Sequence, residues 1–361
     1  MSKRNSENER IKRQFLQHLR RARGKSEKTA LDAAAAIDRF LEANGHKPLK
    51  KFHRRQAIAF CEKFEEARNE QGALLSKVTV TKTLKALREF FGWLSEQPGY
   101  KSRISATDAE YFTPSRHAEE VARSRRSQFV PTVKQVHQVI AAMPAETIIQ
   151  RRDRALIALM LLTCPRNAAA ASLKLRHLDL CARTLFQDGA EVQTKFRKSI
   201  TTGFYPVGGN AESIVRNWVD ELVETHGFGA DDPIFPRTRN ERSRATGLFE
   251  PIGIDRTPWR SGSSLREVFR SAFDGASLPY ASPHSFRHTL ARYAIKLDLS
   301  AIELAAWSRN LGHADVITTL QSYVKMSDAE QIDVLSRITH PEDRAKSDQK
   351  LDEIKKLLMA G

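Results

Sequence analysis

The chain is poor in cysteine and has no long apolar run. Its 361 residues include three cysteines, Cys61, Cys164 and Cys181, which lie far apart and form no CxxC pair. An odd number of separated cysteines argues against a disulfide framework and against a zinc knuckle. The longest apolar stretch, residues 155–162, is much shorter than the roughly 20 residues that a bilayer span requires. The sequence therefore excludes a transmembrane helix and favours a reducing compartment.

Acidic residues are few compared with basic ones. Lys and Arg total 59 and Asp and Glu total 43, which gives a formal net charge of +16 with His neutral. A soluble protein this basic usually meets a polyanion, and nucleic acid is the first candidate, although a cationic surface that serves solubility alone is the alternative. The N-terminus is charged and lacks the apolar segment of a secretory signal. We therefore expect a cytoplasmic protein that is bound to DNA in the nucleoid.

Apolar residues recur at helical spacing along the first part of the chain, with no competing strand-like alternation. A length of 361 residues suggests about two domains. We predict a basic N-terminal arm or helix over 1–24, a helical domain over 25–112, a linker over 113–131, a second domain over 132–340 and a tail helix over 341–361. The linker is rich in charge, so it is either a solvated tether or a segment that crosses phosphates.

The second domain is predicted to hold the only β region of the chain. A strand leads into the hairpin-type turn Asp188-Gly189, a second strand follows at 191–193, and a third strand spans 199–207. The proline-containing stretch 228–262 is predicted to be irregular, and the rest of the domain to be helical. The predicted fold class is therefore mainly α with a small antiparallel β-sheet (α+β).

Several polar residues of the second domain could carry chemistry. The sharpest local feature is the segment HSFRH at 284–288, in which two histidines stand four residues apart. The zincin metal pattern requires Glu where Ser285 stands, and no compact group of carboxylates or cysteines adds ligands, so we predict no metal site. Tyr323 and Arg166 are further candidates in this domain. Taken singly, each has an ordinary structural interpretation: Tyr323 as a core aromatic and Arg166 as a surface charge at the end of a helix.

The order of these residues resembles that of the tyrosine recombinase (phage integrase) family. The six catalytic positions of that family are matched by Arg166, Lys195, His284, Arg287, His313 and Tyr323. The local segments that agree are RNAAAASLKLRHLD, VQTKFRKS, SPHSFRHTLA and NLGHADVITTLQSY. The resemblance is specific over 132–340 and only architectural over 25–112. It implies a helical core-binding domain and a mixed catalytic domain of tyrosine recombinase type, which together form a C-shaped clamp on DNA.

The resemblance also implies a role for each residue. Arg166 and Arg287 would hold the scissile phosphate, since the guanidinium fork stays charged and fits phosphate geometry. Tyr323 would attack the phosphorus to give a 3′-phosphotyrosyl intermediate, and a pKa of ~10 means that it needs help to lose its proton at pH 7.

The remaining residues would handle protons. His284 and His313 would add hydrogen bonds, and one of them would help to deprotonate the nucleophile. Lys195 would protonate the leaving 5′ oxygen, with Lys198 as a rival for that role. The covalent link conserves the phosphodiester energy, so neither a metal nor ATP is needed and no cofactor is implied.

This sequence departs from the family pattern near Arg166. The family usually has an acidic residue three positions after the first Arg, where this chain has Ala169. Asn167 or Asp153 is our candidate for the missing support of Arg166. Cys164-Pro165 also replaces the usual Gly-Leu type pair and is expected to stiffen the turn. The third departure is a ten-residue gap from His313 to Tyr323, where nine is common. His288, four residues after His284, is expected to orient a neighbouring side chain.

Basic residues outside this set are candidates for DNA contact. Such contacts supply affinity and salt dependence but no sequence preference. The predicted residues are Arg20, Arg21, Arg23, Lys82, Lys85, Arg88, Arg123, Arg125, Arg126 and Lys198. The basic stretch 237–260 is either a solvated insertion or a further DNA contact.

The predicted function is site-specific DNA recombination or integration, for a mobile genetic element. The expected partners are double-stranded DNA with specific recombination sites, three further copies of the chain in a tetramer held by the 343–361 tail, and an accessory DNA-bending or directionality factor. Strand exchange would pass through a Holliday junction. The alternatives are a non-catalytic, sequence-specific DNA-binding protein of the same fold, which Ala169 favours, and a type IB-like DNA-relaxing topoisomerase.

Overall fold

The computed structural model divides the chain into two compact units, Met1–Ser127 and Gln128–Gly361. The residues described are 5–69, 71–123, 129–194, 197–244, 246–259, 262–297 and 299–312, with His117, Ala122 and Arg123 described by their backbone only. This part of the chain is mainly helical and carries small antiparallel sheets, so the predicted fold class is confirmed.

The first unit is built from helices that begin at polar capping residues. Asn5, Ser26 and Ser76 each accept a hydrogen bond from a backbone N–H of the first helical turn, which satisfies donors that the helix itself leaves open. The helices are α1 (Ser6–Arg21), α2 (Glu27–Ala43), α3 (Arg54–Glu65), α4 (Lys77–Ser95) and α5 (Arg116–Arg123).

The core of the first unit is aromatic. Phe40 packs edge-on against four other rings, and the rings of Phe52 and Phe91 stack with their centroids 4.0 Å apart. Such pairs contribute about 0.5–1.5 kcal/mol each beyond the area that they bury. Helix α1 buries Phe15 and Leu19 in the same core. The helical part of the predicted N-terminal arm is therefore an integral part of this unit.

The second unit is organised around a buried helix. Every residue from 155 to 162 is at most 3% exposed, so the longest apolar run of the chain is an internal helix. The helices are α6 (Val133–Ala142), α7 (Ile148–Thr163), α8 (Asn167–Ala171), α9 (Ala211–Asp220), α10 (Ser263–Gly275), α11 (Ser285–Lys296) and α12 (Ala301–Asn310). Across the described ranges, none of the helices has the length and apolar character to traverse a membrane.

The first sheet differs from the prediction in one strand. Its three antiparallel strands are β1 (Leu178–Asp179), β2 (Thr184–Gln187) and β3 (Ile200–Gly203), in that spatial order. The predicted strand at 191–193 is wrong. The carbonyl of Asp188 accepts the backbone N–H groups of Glu191 and Val192, so the chain turns there, and β2 pairs directly with β3. The described residues between the two strands, 188–194 and 197–199, therefore form a long connection, and we call the segment between β2 and β3 the β2–β3 loop.

A second sheet occupies a stretch that was predicted to be irregular. Strands β4 (Pro236–Arg242) and β5 (Phe249–Pro258) form an antiparallel hairpin, so the prediction for 228–262 is wrong over these residues. Proline is tolerated because each strand of a two-stranded hairpin has a free edge, where a missing N–H breaks no ladder bond. Two register shifts near Pro236 and Arg239 accompany the irregular sequence.

Candidate active site

A sharp turn at the end of α7 places Arg166. Cys164 caps the helix in the left-handed region, with φ of 46°, and its N–H donates to the carbonyl of Met160 at 3.0 Å. A left-handed conformation at a residue other than glycine costs roughly 1–2 kcal/mol, so the surrounding packing must enforce it. Pro165 follows, and Arg166 is the extended residue that directly precedes α8. Cys164-Pro165, which replaces the pair usual in the family, thus forms a defined turn that places Arg166 at the N-terminus of α8.

Arg287 lies on α11 and joins two other elements of the site. Its side chain is 4% exposed. Nη1 donates to the carbonyl of Cys164 at 3.0 Å, and Nη2 donates to the carbonyl of Leu311, just after α12. The guanidinium therefore ties the turn before Arg166 to the turn before His313.

The pKa of the Cys164 thiol depends on its burial and on the charges around it. Burial raises its pKa to about 12, while the positive charges of Arg287 and, next, Arg166 act in the opposite direction. Both guanidinium groups are thus close enough to Cys164 to affect its ionisation. Arg287 donates to the carbonyl of Cys164 and Arg166 follows Cys164 by two residues, so both predicted phosphate-binding arginines flank this residue. The thiol itself stays protonated at neutral pH.

His284 directly precedes α11 and is exposed. Its carbonyl accepts the N–H of Arg287 at 3.2 Å, so the two residues share the first turn of the helix. His288 lies one turn further on, with its ring edge-on to that of His284 at a centroid distance of 5.5 Å. Within the described ranges, no third His, Cys, Asp or Glu completes a metal-binding group. The arrangement suits a histidine that is oriented by another.

Three of the six predicted catalytic residues lie outside the described residues. These are Lys195, His313 and Tyr323. The flanks of two of them are described. Gly312, directly before His313, has φ of +71°, a value that favours glycine because it has no Cβ.

The β2–β3 loop, which contains position 195, is anchored on both sides. The N–H of Gly189 donates to Ser199 Oγ at 3.1 Å, and the N–H of Gln193 donates to Ser172 Oγ at 3.0 Å. Ser172 closes α8, the helix that starts after Arg166. Lys198, the predicted rival of Lys195, is exposed. Ser172 was not predicted, since a serine at a helix end carries no sign that it will receive a hydrogen bond from a distant loop.

One of the two residues that we predicted to support Arg166 does not do so. Ala169 is fully buried, at 0% exposed, so an apolar methyl group stands where the family usually has a carboxylate. Asp153 does not reach Arg166, because it lies ten residues before the end of α7, or about 15 Å along the helix axis. Its carboxylate instead accepts two hydrogen bonds from Arg152, at 2.9 and 2.7 Å. Asn167 remains a prediction.

The candidate DNA-contacting residues of the first unit lie on its surface where they are described. Lys82, Lys85 and Arg88 are exposed on α4, while the opposite side of that helix is buried in the core. Arg20, Arg21 and Arg23 are exposed around the end of α1. Lys85 and Arg20 pair with acidic neighbours at 3.6 and 3.0 Å, and such exposed pairs are worth little. The side chain of Arg123 and all of Arg125 and Arg126 lie outside the described residues.

A groove of about 1020 Å³ lies elsewhere in the second unit. It runs between hairpin β4–β5 and helices α6, α7 and α10, with Met143, Trp259 and Val268 among its lining residues. Neither Arg166 nor His284 nor Arg287 lines it. A duplex needs an open basic surface more than a closed pocket, so we place the candidate active site at the arginines.

Sequence profiles of known families match both units. The profile of the phage integrase family matches residues 130–330, and that of the phage integrase N-terminal SAM-like domain matches residues 13–97. The chain belongs to the phage integrase family. It is thereby a tyrosine recombinase by family, as the order of residues predicted. A comparison with curated proteins found no match.

Solved integrase structures share the fold. A Tn1549 transposon integrase in complex with circular intermediate DNA has a TM-score of 0.60 and 12% identity, over 91% of this chain and 99% of that chain. A lambda integrase dimer bound to a COC′ core site has a TM-score of 0.56 and 15% identity, over 88% of this chain and 95% of that chain. At such identities the likeness concerns the fold.

Proposed function

We propose that the protein is a site-specific tyrosine recombinase that acts on double-stranded DNA as the integrase of a mobile genetic element. The observation that carries the proposal is the hydrogen bond from Arg287 to the carbonyl of Cys164 in the turn that leads to Arg166, with His284 one turn from Arg287. Two fixed cations beside an exposed histidine suit an anion that gains charge in the transition state. Removing one preorganised donor of this kind costs about 3–4 kcal/mol in the barrier.

The proposed reaction is a phosphoryl transfer to tyrosine. The hydroxyl oxygen of Tyr323 bonds to phosphorus, and the bond from phosphorus to the 5′ oxygen breaks. The phenolic proton passes to His284 or His313, and Lys195 gives a proton to the departing 5′ oxygen. Attack by a 5′ hydroxyl of another strand reverses these steps. Neither a metal nor a nucleotide cofactor takes part in the scheme.

Recombination needs more than one protomer. We propose that a tetramer brings two duplexes together and exchanges strands through a Holliday junction, aided by an accessory DNA-bending or directionality factor. The amphipathic tail at 343–361 lies outside the described residues and is proposed to pack on a neighbouring protomer. Deletion of 343–361 is expected to spare binding to a single site and to impair recombination, and unchanged recombination would contradict the role of the tail.

Covalent trapping tests the proposal directly. The protein is incubated with fragmented DNA from its source organism, the mixture is denatured in SDS, and the DNA that stays attached is sequenced. We expect adducts that cluster at one sequence and vanish in Tyr323→Phe. Scattered adducts that depend on Tyr323 would instead indicate a relaxing topoisomerase, which a plasmid relaxation assay then checks.

One observation favours a second function, that of a sequence-specific DNA-binding protein without catalysis. Ala169 is fully buried in an apolar core and cannot support Arg166 as a carboxylate would. The two functions differ in a clear readout. Specific binding under native washes together with no Tyr323-dependent adduct, on DNA that carries the bound sequence, would favour the non-catalytic protein.

A further inference from the structure

Helix α12 ends against the free edge of strand β3. The last residue of the helix, Asn310, forms two hydrogen bonds with Gly203 at the end of the strand. Its Oδ1 accepts the N–H of Gly203 at 2.7 Å, and its Nδ2 donates to the carbonyl of Gly203 at 2.9 Å. Among the described residues β3 is the edge strand of its sheet, so no described strand pairs with these backbone groups. The side-chain amide takes the place of such a strand, and we call this contact the amide bridge.

Neighbouring contacts hold the same junction. The hydroxyl of the buried Tyr205, two residues after β3, donates to the carbonyl of Trp307 at 3.4 Å, and the two rings lie 4.7 Å apart. Gly312 lies beside the strand, since a Cβ added there would stand 3.5 Å from Ile200 Cδ1, an ordinary van der Waals contact. The turn after α12 is therefore packed on β3 and is also held by Arg287 through the carbonyl of Leu311.

We propose that Asn310 is a positioning residue for the reaction. The amide bridge holds the turn Leu311-Gly312, which directly precedes His313 in the sequence, against the strand that follows the β2–β3 loop. That loop contains position 195, so one side-chain amide links the two segments from which His313 and Lys195 are proposed to act. This inference rests on the proposed function, and Asn310 itself touches no reacting atom.

The chemistry of the bridge calls for asparagine. Only a primary amide offers a donor and an acceptor in one plane at this length, to match one backbone N–H and one C=O. Asn310→Asp keeps the acceptor but replaces the donor with an oxygen that faces the carbonyl of Gly203. Asn310→Leu keeps the approximate volume and removes both hydrogen bonds. The exposed neighbour Arg309 supplies a matched control, Arg309→Leu, which leaves the bridge intact.

The first test measures the bridge without reference to catalysis. Hydrogen–deuterium exchange is followed in peptides that cover 200–205 and 309–312 of the full chain. We expect faster exchange at both segments in Asn310→Leu and Asn310→Asp, and wild-type exchange in Arg309→Leu. Unchanged exchange in the Asn310 variants would overturn the proposal, whether or not the protein forms covalent adducts.

The second test measures the reaction on the DNA site recovered by trapping. We expect both Asn310 variants to slow adduct formation by about 10- to 100-fold, since a displacement of about 1 Å can cost that much, with unchanged affinity for the site. A wild-type rate, or a loss of DNA affinity that accounts for the whole defect, would overturn the proposal. If the wild-type protein forms no Tyr323-dependent adduct, the proposed function fails instead, and the exchange measurement still decides whether the bridge exists.

A DNA site with sulfur in place of the leaving 5′ oxygen tests which of the two segments the amide bridge positions. A 5′-bridging phosphorothiolate leaves as a thiolate, which needs little help from an acid because a thiol has a pKa of about 8.5. We expect this substrate to restore the rate of Lys195→Ala and not that of Asn310→Leu, because the amide bridge acts first on the turn before His313. Full recovery of Asn310→Leu would overturn the assignment to that turn.

Discussion

The two hydrogen bonds from Arg287 to backbone carbonyls predict how far a conservative substitution lowers the stability of the second unit. In Arg287→Lys the charge remains, but a single ammonium cannot reach both the Cys164 and the Leu311 carbonyls as the planar guanidinium does. A hydrogen bond to a charged group is worth about 1.5–3 kcal/mol, and one such bond is lost. For a unit of this size each kcal/mol shifts Tm by about 2–4 °C, so the expected fall in Tm is roughly 3–12 °C.

The assay is thermal unfolding of the full chain, followed by calorimetry so that the two units can be resolved. Arg292→Lys serves as the control, because Arg292 lies on the same helix and is exposed. We expect Arg287→Ala to lower the Tm of the second unit further than Arg287→Lys does, since it leaves both carbonyls without their donor. A Tm of Arg287→Lys equal to that of Arg292→Lys would refute the assignment of Arg287 as a tie between the two turns.

Three further predictions follow from single contacts. Gly189→Ala places a Cβ 2.1 Å from a backbone carbonyl across the β2–β3 loop, so we expect a strong loss of covalent adduct with a native far-UV circular dichroism spectrum. Iodoacetamide is expected to label the exposed Cys181 of the native protein and to spare Cys164, whose burial raises its pKa to about 12; mass spectrometry of labelled peptides checks this. Burial lowers the pKa of His177 below its usual 6.5, so the unfolded state takes up a proton first and the free energy of unfolding falls as the pH drops through 6.5; urea unfolding of His177→Asn is expected to show a weaker dependence.

Helices of the first unit were predictable because their pattern reports burial directly. In α4, Leu84, Leu87 and Phe91 recur at helical spacing, and all three are fully buried. The assignment of α1 to the core of this unit was harder to predict. The helix carries enough basic side chains to resemble an arm, and only its packing against the other helices shows where it belongs.

The strands were harder to predict because their partners lie far along the chain. Residues 191–193 follow a turn signal at Asp188-Gly189 and were assigned as a strand on that basis. The chain instead continues through further turns, and the partner of β2 starts at Ile200. Hairpin β4–β5 was missed for the opposite reason, since prolines and charges suggest a loop although backbone pairing still forms. Local propensity cannot decide such cases, because pairing with a distant segment overrides it.

The candidate site shows the same limit at the level of atoms. Arg166, His284 and Arg287 were predicted from their order and local motifs, yet the hydrogen bonds that hold Arg287 go to backbone carbonyls. Every residue has a backbone carbonyl, so the sequence does not indicate which carbonyl will accept the hydrogen bond. The same applies to Asn310, whose two partners are the N–H and C=O of a glycine. Motifs thus identify the groups that could react, whereas the contacts that orient them are specified only when the helix ends and the edge of the sheet are brought together.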